Sequence, residues 1–220
     1  MNTKSIKSKI RSVVLRQVGA TSTYPYRRYF DANMCIFIHI PKVAGSSVLD
    51  AIAFGDTVFR DHCTYRDFLV ADKKRFESYF KFCFVREPIS RLFSVYNYWK
   101  SGGNQMDDRY FQEIIAENNF DFSRFVLEYL DGKRIFEHRL TIPQYIFVYD
   151  HTRKCMVDFV GRYESIDQDF GLVMKTLGLK NGLKVINKSP FVGPNNLSRE
   201  AREKIGELYK NDFALFGYDY

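Results

Sequence analysis

The chain has no CxxC pair, and its four cysteines, Cys35, Cys63, Cys83 and Cys155, fall at no spacing that suits a metal. Reduced thiols, a reducing compartment and no structural zinc are therefore expected. No run of about 18 apolar residues occurs, so no segment reads as membrane-spanning. The N-terminus lacks the apolar stretch of a signal peptide, and a cytoplasmic location is the expectation. The Walker pattern Gly-x-x-x-x-Gly-Lys-Ser/Thr is missing, which removes an ordinary ATP or GTP loop. Internal repeats, low-complexity blocks and linkers are missing too, so 31–220 reads as a single domain.

Acidic residues are absent from 1–30, which hold Lys4, Lys7, Lys9, Arg11, Arg16, Arg27 and Arg28. Without those seven the remainder balances at 26 basic and 26 acidic residues, so the net charge of +7 belongs to an N-terminal arm. A nucleic-acid binder spreads positive charge over a folded face, so nucleic acid is not expected as a partner. Within the arm, Ile6, Ile10, Val13, Val14 and Val18 fall near one side of a helix over 4–18, with Lys and Arg on the others. Such a helix can grip an anionic lipid surface from outside, pack on the body, or stay a solvated tail.

What is present in quantity is Phe and Tyr, against a single Trp99, and most of those rings are expected in the core of a 220-residue α/β body. The most informative stretch is Cys35-Ile-Phe-Ile-His-Ile-Pro-Lys-Val-Ala-Gly-Ser-Ser-Val-Leu49. Its apolar start is that of a parallel strand buried on both faces. Pro41 stops the strand, and Lys42, Val43, Ala44 and Gly45 make a turn. Ser46 and Ser47 then open a helix with Val48, Leu49 and Ile52 on its apolar side and Gly55 as its stop. A strand, a glycine turn and a helix start make an anion site: free amides and the helix dipole face the anion, and Lys42 adds charge.

A second apolar run at 79–85 predicts another strand, ending in Arg86-Glu87-Pro88, with Pro88 at the first position of a helix. Leu92, Val95, Tyr96 and Trp99 recur at helical spacing until Gly102 and Gly103. Ser94 lies eight residues after Arg86 in that helix. Arg86 suits either a second anion site or an ion pair with Glu87. Taken with the Lys42 turn, it implies a ligand with two separated anionic groups along the carboxyl edge of a parallel sheet. Further on, 107–150 reads as helical pieces and 156–161 as a third strand. Ser165 and Gln168 form a capping box for a helix to Leu177, and 182–194 is a loop. Ser198 caps a last helix carrying Ile205, Leu208, Tyr209 and Phe213.

At these residues the chain resembles a family. His39-Ile-Pro-Lys-Val-Ala-Gly-Ser-Ser47 is similar to the 5′-phosphosulfate loop of the carbohydrate sulfotransferases, which include the heparan and chondroitin sulfate O-sulfotransferases. Phe84-Val-Arg-Glu-Pro-Ile-Ser-Arg-Leu-Phe-Ser-Val-Tyr96 resembles their 3′-phosphate segment. Val160-Gly-Arg-Tyr-Glu164, Asn187-Lys188-Ser189, and Tyr209, Asp212 and Phe213 with Phe216-Gly217-Tyr218 resemble later landmarks, more weakly. The resemblance implies a three-layer α/β fold like that of P-loop NTPases, with a parallel sheet flanked by helices. It implies 3′-phosphoadenosine-5′-phosphosulfate as co-substrate, no metal, and a carbohydrate acceptor in a polysaccharide or glycolipid. Lys42, Val43, Ala44, Gly45, Ser46 and Ser47 would hold the 5′-phosphosulfate, and Arg86 and Ser94 the 3′-phosphate. Arg162, Asn187, Lys188 and Ser189 would close over the nucleotide.

In-line sulfuryl transfer needs positive charge at the leaving phosphate, for which Lys42 is suited, and a base for the acceptor hydroxyl. His62 is the favoured base, with Asp61 and Glu87 as carboxylate alternatives; as a non-catalytic residue, His62 would cap the helix starting at Thr64. His39, inside the first strand, reads as buried structure. Two rival readings remain: a small-molecule or nucleotide kinase with an unusual phosphate loop, and a non-catalytic nucleotide- or glycan-binding protein.

Overall fold

Three short apolar runs make the sheet. The structure, a computed structural model, describes residues 24–105, 108–179, 194 and 196–220. The basic helix expected over 4–18, and Asn187, Lys188 and Ser189, lie outside the described residues. Strand β1 (Cys35–Ile38) is buried along its whole length. It pairs in parallel with β2 (Phe80–Val85), which pairs in parallel with β3 (Phe159–Arg162), so the strand order is β1-β2-β3. The register sets Phe37 beside Phe82 and Phe82 beside Phe159. Parallel neighbours need long crossovers, and helices supply them.

Helix α1 (Arg28–Asn33) enters β1, and Tyr26, Tyr29 and Phe30 are already in the core. The folded body thus reaches back before residue 31. Between β1 and β2 lie α2 (Gly45–Ala53), α3 (Tyr65–Ala71) and α4 (Lys73–Ser78). After β2 comes α5 (Pro88–Lys100), with Pro88 in its first turn and Leu92, Val95, Tyr96 and Trp99 buried as their spacing requires. The middle of the chain is α6 (Arg109–Glu117), α7 (Phe122–Arg124) widening into a π turn (Phe125–Tyr129), a 3₁₀ turn (Arg134–Phe136) and α8 (Tyr145–Val148). Helix α9 (Ile166–Leu177) follows β3, and α10 (Arg199–Leu208) and α11 (Lys210–Phe216) end the chain. This is a mixed α/β fold in which a small parallel sheet is flanked by helices. Among the described residues no helix is long and apolar enough to cross a membrane.

Five local expectations shift, the first being that β1 ends at Ile38, so His39 lies just beyond the strand and Pro41 does not stop it. The third strand begins at Phe159 rather than 156, because the carboxylate of Asp158 takes the amide of Lys81 at 2.8 Å and its ammonium at 2.9 Å and anchors the strand start there. Helix α2 ends on Phe54, at φ 50°, one residue before Gly55. Ser165 does not cap α9 with Gln168; its hydroxyl donates to Asp169, which also accepts the amide of Arg162 at 2.7 Å. The last helix is two, broken at Tyr209, whose hydroxyl is drawn 2.7 Å from the carbonyl of Thr141.

Candidate active site

The turn after β1 is unusual for its lack of glycine where the backbone turns left. Lys42 and Ala44 carry φ values of 68° and 63°, a region costly for residues with a Cβ. Ala44 is the N-cap of α2 and offers no side chain to its first turn, so the helix start keeps free amides for an outside acceptor. Val43 is fully buried and pins the turn, while Ser46 and Ser47 are half-buried beside it. Gly45 is required for close approach: a Cβ there would lie 2.0 Å from Cδ2 of His39.

The Lys42 ammonium lies 4.3 Å from the centre of the Tyr98 ring. Burial and the nearby Arg86 guanidinium pull its pKa down to about 8, against the attraction of Asp108. Arg86 is itself buried, and burial lowers its pKa as well. Its Nη1 donates to the carbonyl of Lys42 at 3.5 Å, its Nε donates to Ser90 Oγ at 2.8 Å, and its guanidinium lies 4.2 Å from the centre of the Tyr163 ring. Neither Lys42 nor Arg86 enters an ion pair among the described residues. The partnership of Arg86 with Glu87 is not formed, because Glu87 caps α5, accepting the amides of Ile89 and Ser90. Ser94 is half-buried on α5 one turn beyond Ser90.

The backbone of Arg86 is gripped from both sides. Gln144 Oε1 accepts its amide at 3.0 Å and Gln144 Nε2 donates to its carbonyl at 2.8 Å. Gln144 is held in turn by Asp212, whose two oxygens accept the amides of Gln144 and Tyr145 at 2.8 and 2.9 Å. Arg91 donates to the carbonyls of Leu140 and Ile142 and completes the anchoring of this segment. Arg162 is brought to the same end of the sheet, but its guanidinium is occupied by the carbonyls of Phe216 and Gly217 and lies over the Tyr218 ring.

The sequence reading missed Ser90, Gln144 and Tyr163. Ser90 had a local signal, lying four residues after Arg86 at the start of a helix. Tyr163 stands inside the landmark at 160–164 with nothing to tie it to Arg86, and Gln144 had no signal, since both reach Arg86 from other parts of the chain.

His62 donates from Nδ1 to the carbonyl of His39 at 3.0 Å. A carbonyl oxygen only accepts, so the neutral ring carries its proton on Nδ1 and leaves a lone pair on Nε2. Burial lowers the His62 pKa, the bond to His39 opposes that, and Arg139 lowers it further. His62 is therefore neutral near pH 7. It lines a cleft of about 180 Å³ with Tyr24, Asp61, Cys63, Asp67 and Arg139. The helix after it is capped by Thr64 and Asp67, so His62 is not its cap. Among the carboxylate alternatives, Asp61 is paired with Arg27 and Glu87 spends both oxygens on α5. His138 has both nitrogens committed, Nδ1 accepting from the amide of Leu140 and Nε2 facing Asp108 at 3.4 Å. Among the described residues no cluster of three or more His, Cys, Asp or Glu is arranged to hold a metal.

The chain belongs to the sulfotransferase family, whose family model matches residues 28–219. Among curated proteins it is similar to carbohydrate sulfotransferase 14 of Danio rerio, 28% identical over 230 residues, covering 86% of this chain and 60% of that protein. Carbohydrate sulfotransferase 11 of Rattus norvegicus is 27% identical over 170 residues, covering 66% of this chain and 48% of that protein. An uncharacterized protein of Archaeoglobus fulgidus is 35% identical over 115 residues, 51% of this chain and 79% of its own length. The chain spans about half to three-fifths of the length of the carbohydrate sulfotransferases it matches. No solved structure matches it significantly.

Proposed function

We propose that this chain transfers a sulfuryl group from 3′-phosphoadenosine-5′-phosphosulfate to a hydroxyl of a carbohydrate, in a polysaccharide or glycolipid, by in-line displacement. The observation that carries this is the meeting of Lys42 and Arg86, two cations with no ion-pair partner among the described residues, at the ends of adjacent parallel strands. A ligand with an anionic group at each end relieves their repulsion, and the residues fit such a donor. The family membership and the names of the two carbohydrate sulfotransferases support the acceptor class.

On this reading β1, the Lys42 turn and α2 act as a P-loop-like anion site. Lys42, Val43, Ala44, Gly45, Ser46 and Ser47 hold the 5′ end, and Arg86 and Ser94 the 3′-phosphate, with Ser90 fixing the Arg86 fork. Arg162 closes over the nucleotide from its perch on the C-terminal carbonyls. When bound, the donor supplies the sulfuryl group and a bisphosphate leaving group. Lys42 opposes the negative charge that grows at the leaving phosphate. His62 takes the acceptor's proton at Nε2, the nitrogen with the free lone pair.

The test is transfer of labelled sulfate from the donor to glycan fractions, beside a melting scan with adenosine 3′,5′-bisphosphate, ATP and GTP. Stabilisation by the bisphosphate and label in glycan are expected. Stabilisation by ATP with magnesium instead would sink the reading. His62→Ala should lower turnover by about 10²- to 10⁴-fold with bisphosphate binding kept.

A further inference from the structure

His39 reads from the sequence as buried structure, and it is 6% exposed. Its surroundings give it more to do. Its ring packs on Phe37 at 5.7 Å, nearly parallel, and lies 4.4 Å from the ring of His62. The backbone of Gly45 passes over its edge so closely that a single added carbon would lie 2.0 Å from Cδ2 and 2.2 Å from Nε2. Its main-chain oxygen receives the Nδ1 proton of His62. Burial, helped by the fields of His62 and Arg60, drives its own pKa down to about 3, so it stays neutral.

We propose that His39 is a positioning residue that sets the donor turn and the acceptor base against each other. Its imidazole is the seat on which the Gly45 backbone rests, and this fixes the height of the first turn of α2 over the sheet. Its carbonyl fixes the tautomer of His62, so that Nε2 is the basic nitrogen. One residue therefore registers the anion-binding amides and the proton acceptor to a common origin. Strand β1 supplies the rigidity, since its four residues are fully buried and paired to β2. This inference rests on the sulfotransferase reading of the Lys42 turn.

The contact is reciprocal, which makes it testable without a known acceptor. Gly45→Ala should weaken adenosine 3′,5′-bisphosphate binding at least tenfold, because the methyl group drives the turn off the ring. His39→Ala should weaken it only several-fold. The double variant should bind like His39→Ala, with the Gly45→Ala defect relieved, since the space vacated by the ring accepts the methyl. Melting temperatures without ligand report whether each variant folds. If His39→Ala does not fold, His39→Val takes its place, as valine suits a strand end and has no δ atom to meet the added methyl group in the double variant. Nitrogen-15 spectra of the imidazoles should show neutral wild-type His62 in the Nδ1–H form. A double variant no better than Gly45→Ala, or a dominant Nε2–H form of His62, would overturn the proposal while leaving the donor reading intact. Failure of the wild-type protein to bind the bisphosphate would overturn both.

Discussion

The turns after β1 and β2 each present a cation, and they hold it by opposite means. After β2, Arg86 is fixed before any ligand arrives: Gln144 holds its backbone, Ser90 its Nε, and Tyr163 underlies its guanidinium. After β1, Lys42 has a left-handed backbone, one aromatic face for its ammonium, and a pKa lowered to about 8. A planar, bidentate cation on a rigid mount suits a phosphate that keeps its charge throughout. A flexible ammonium suits a group whose charge changes during reaction. On the proposed reading, the difference separates a cation that binds from a cation that catalyses.

The comparison can be broken most forcefully at Lys42. Lys42→Ala should reduce turnover by roughly 10²- to 10³-fold, more than it weakens bisphosphate binding. Equal losses in both, measured by transfer assay and titration, would erase the distinction. Arg86→Ala should show the reverse, with bisphosphate affinity falling about 10- to 100-fold and a smaller effect on the rate at saturating donor. A variant of the mount, Gln144→Leu, should destabilise the fold by about 1–3 kcal/mol in denaturant titration, because it leaves the buried amide and carbonyl of Arg86 without partners. Unchanged stability would mean that the grip on Arg86 is incidental.

The smallest effect is in pH. Lys42 must be charged to hold an anion, and a bound anion raises its pKa. Above the second pKa of the ligand's phosphates, about 6, bisphosphate affinity should therefore hold up to pH about 8 and fall by up to about tenfold per unit above it, until the pKa of the bound state is passed. In Arg86→Ala the repelling charge is gone, so the decline should begin at higher pH. A flat profile for the wild-type protein up to pH 10 would contradict the lowered pKa.

The asymmetry also explains what could be read in one dimension. β1, the Lys42 turn and the start of α2 lie within fifteen consecutive residues, and Pro41, Gly45 and the apolar spacing were enough to place them. Pro88 and Ser198 marked helix starts for the same local reason. Gln144 and Asp212, which hold Arg86 in place, lie 58 and 126 residues from it, and no local pattern ties either to a strand end. The start of β3 is not legible locally, because Asp158 answers to Lys81 on another strand. Ser165 turns to Asp169, one position beyond the capping-box site, because Asp169 also serves the amide of Arg162. The imidazole pair was half legible: His62 could be singled out by type and place, but its tautomer depends on a carbonyl 23 residues away.

The protein packs around two aromatic clusters, one on the sheet and one among α5, α6, α7 and α10. Trp99 belongs to the second, stacked on Phe111 at 3.9 Å with its Nε1 donating to Asp108 at 3.1 Å. Because it is the sole indole, excitation chosen to spare tyrosine illuminates that half and leaves the sheet dark. The molecule thus carries its own optical probe, able to tell loosening of the helical half from melting of the strands without any added label.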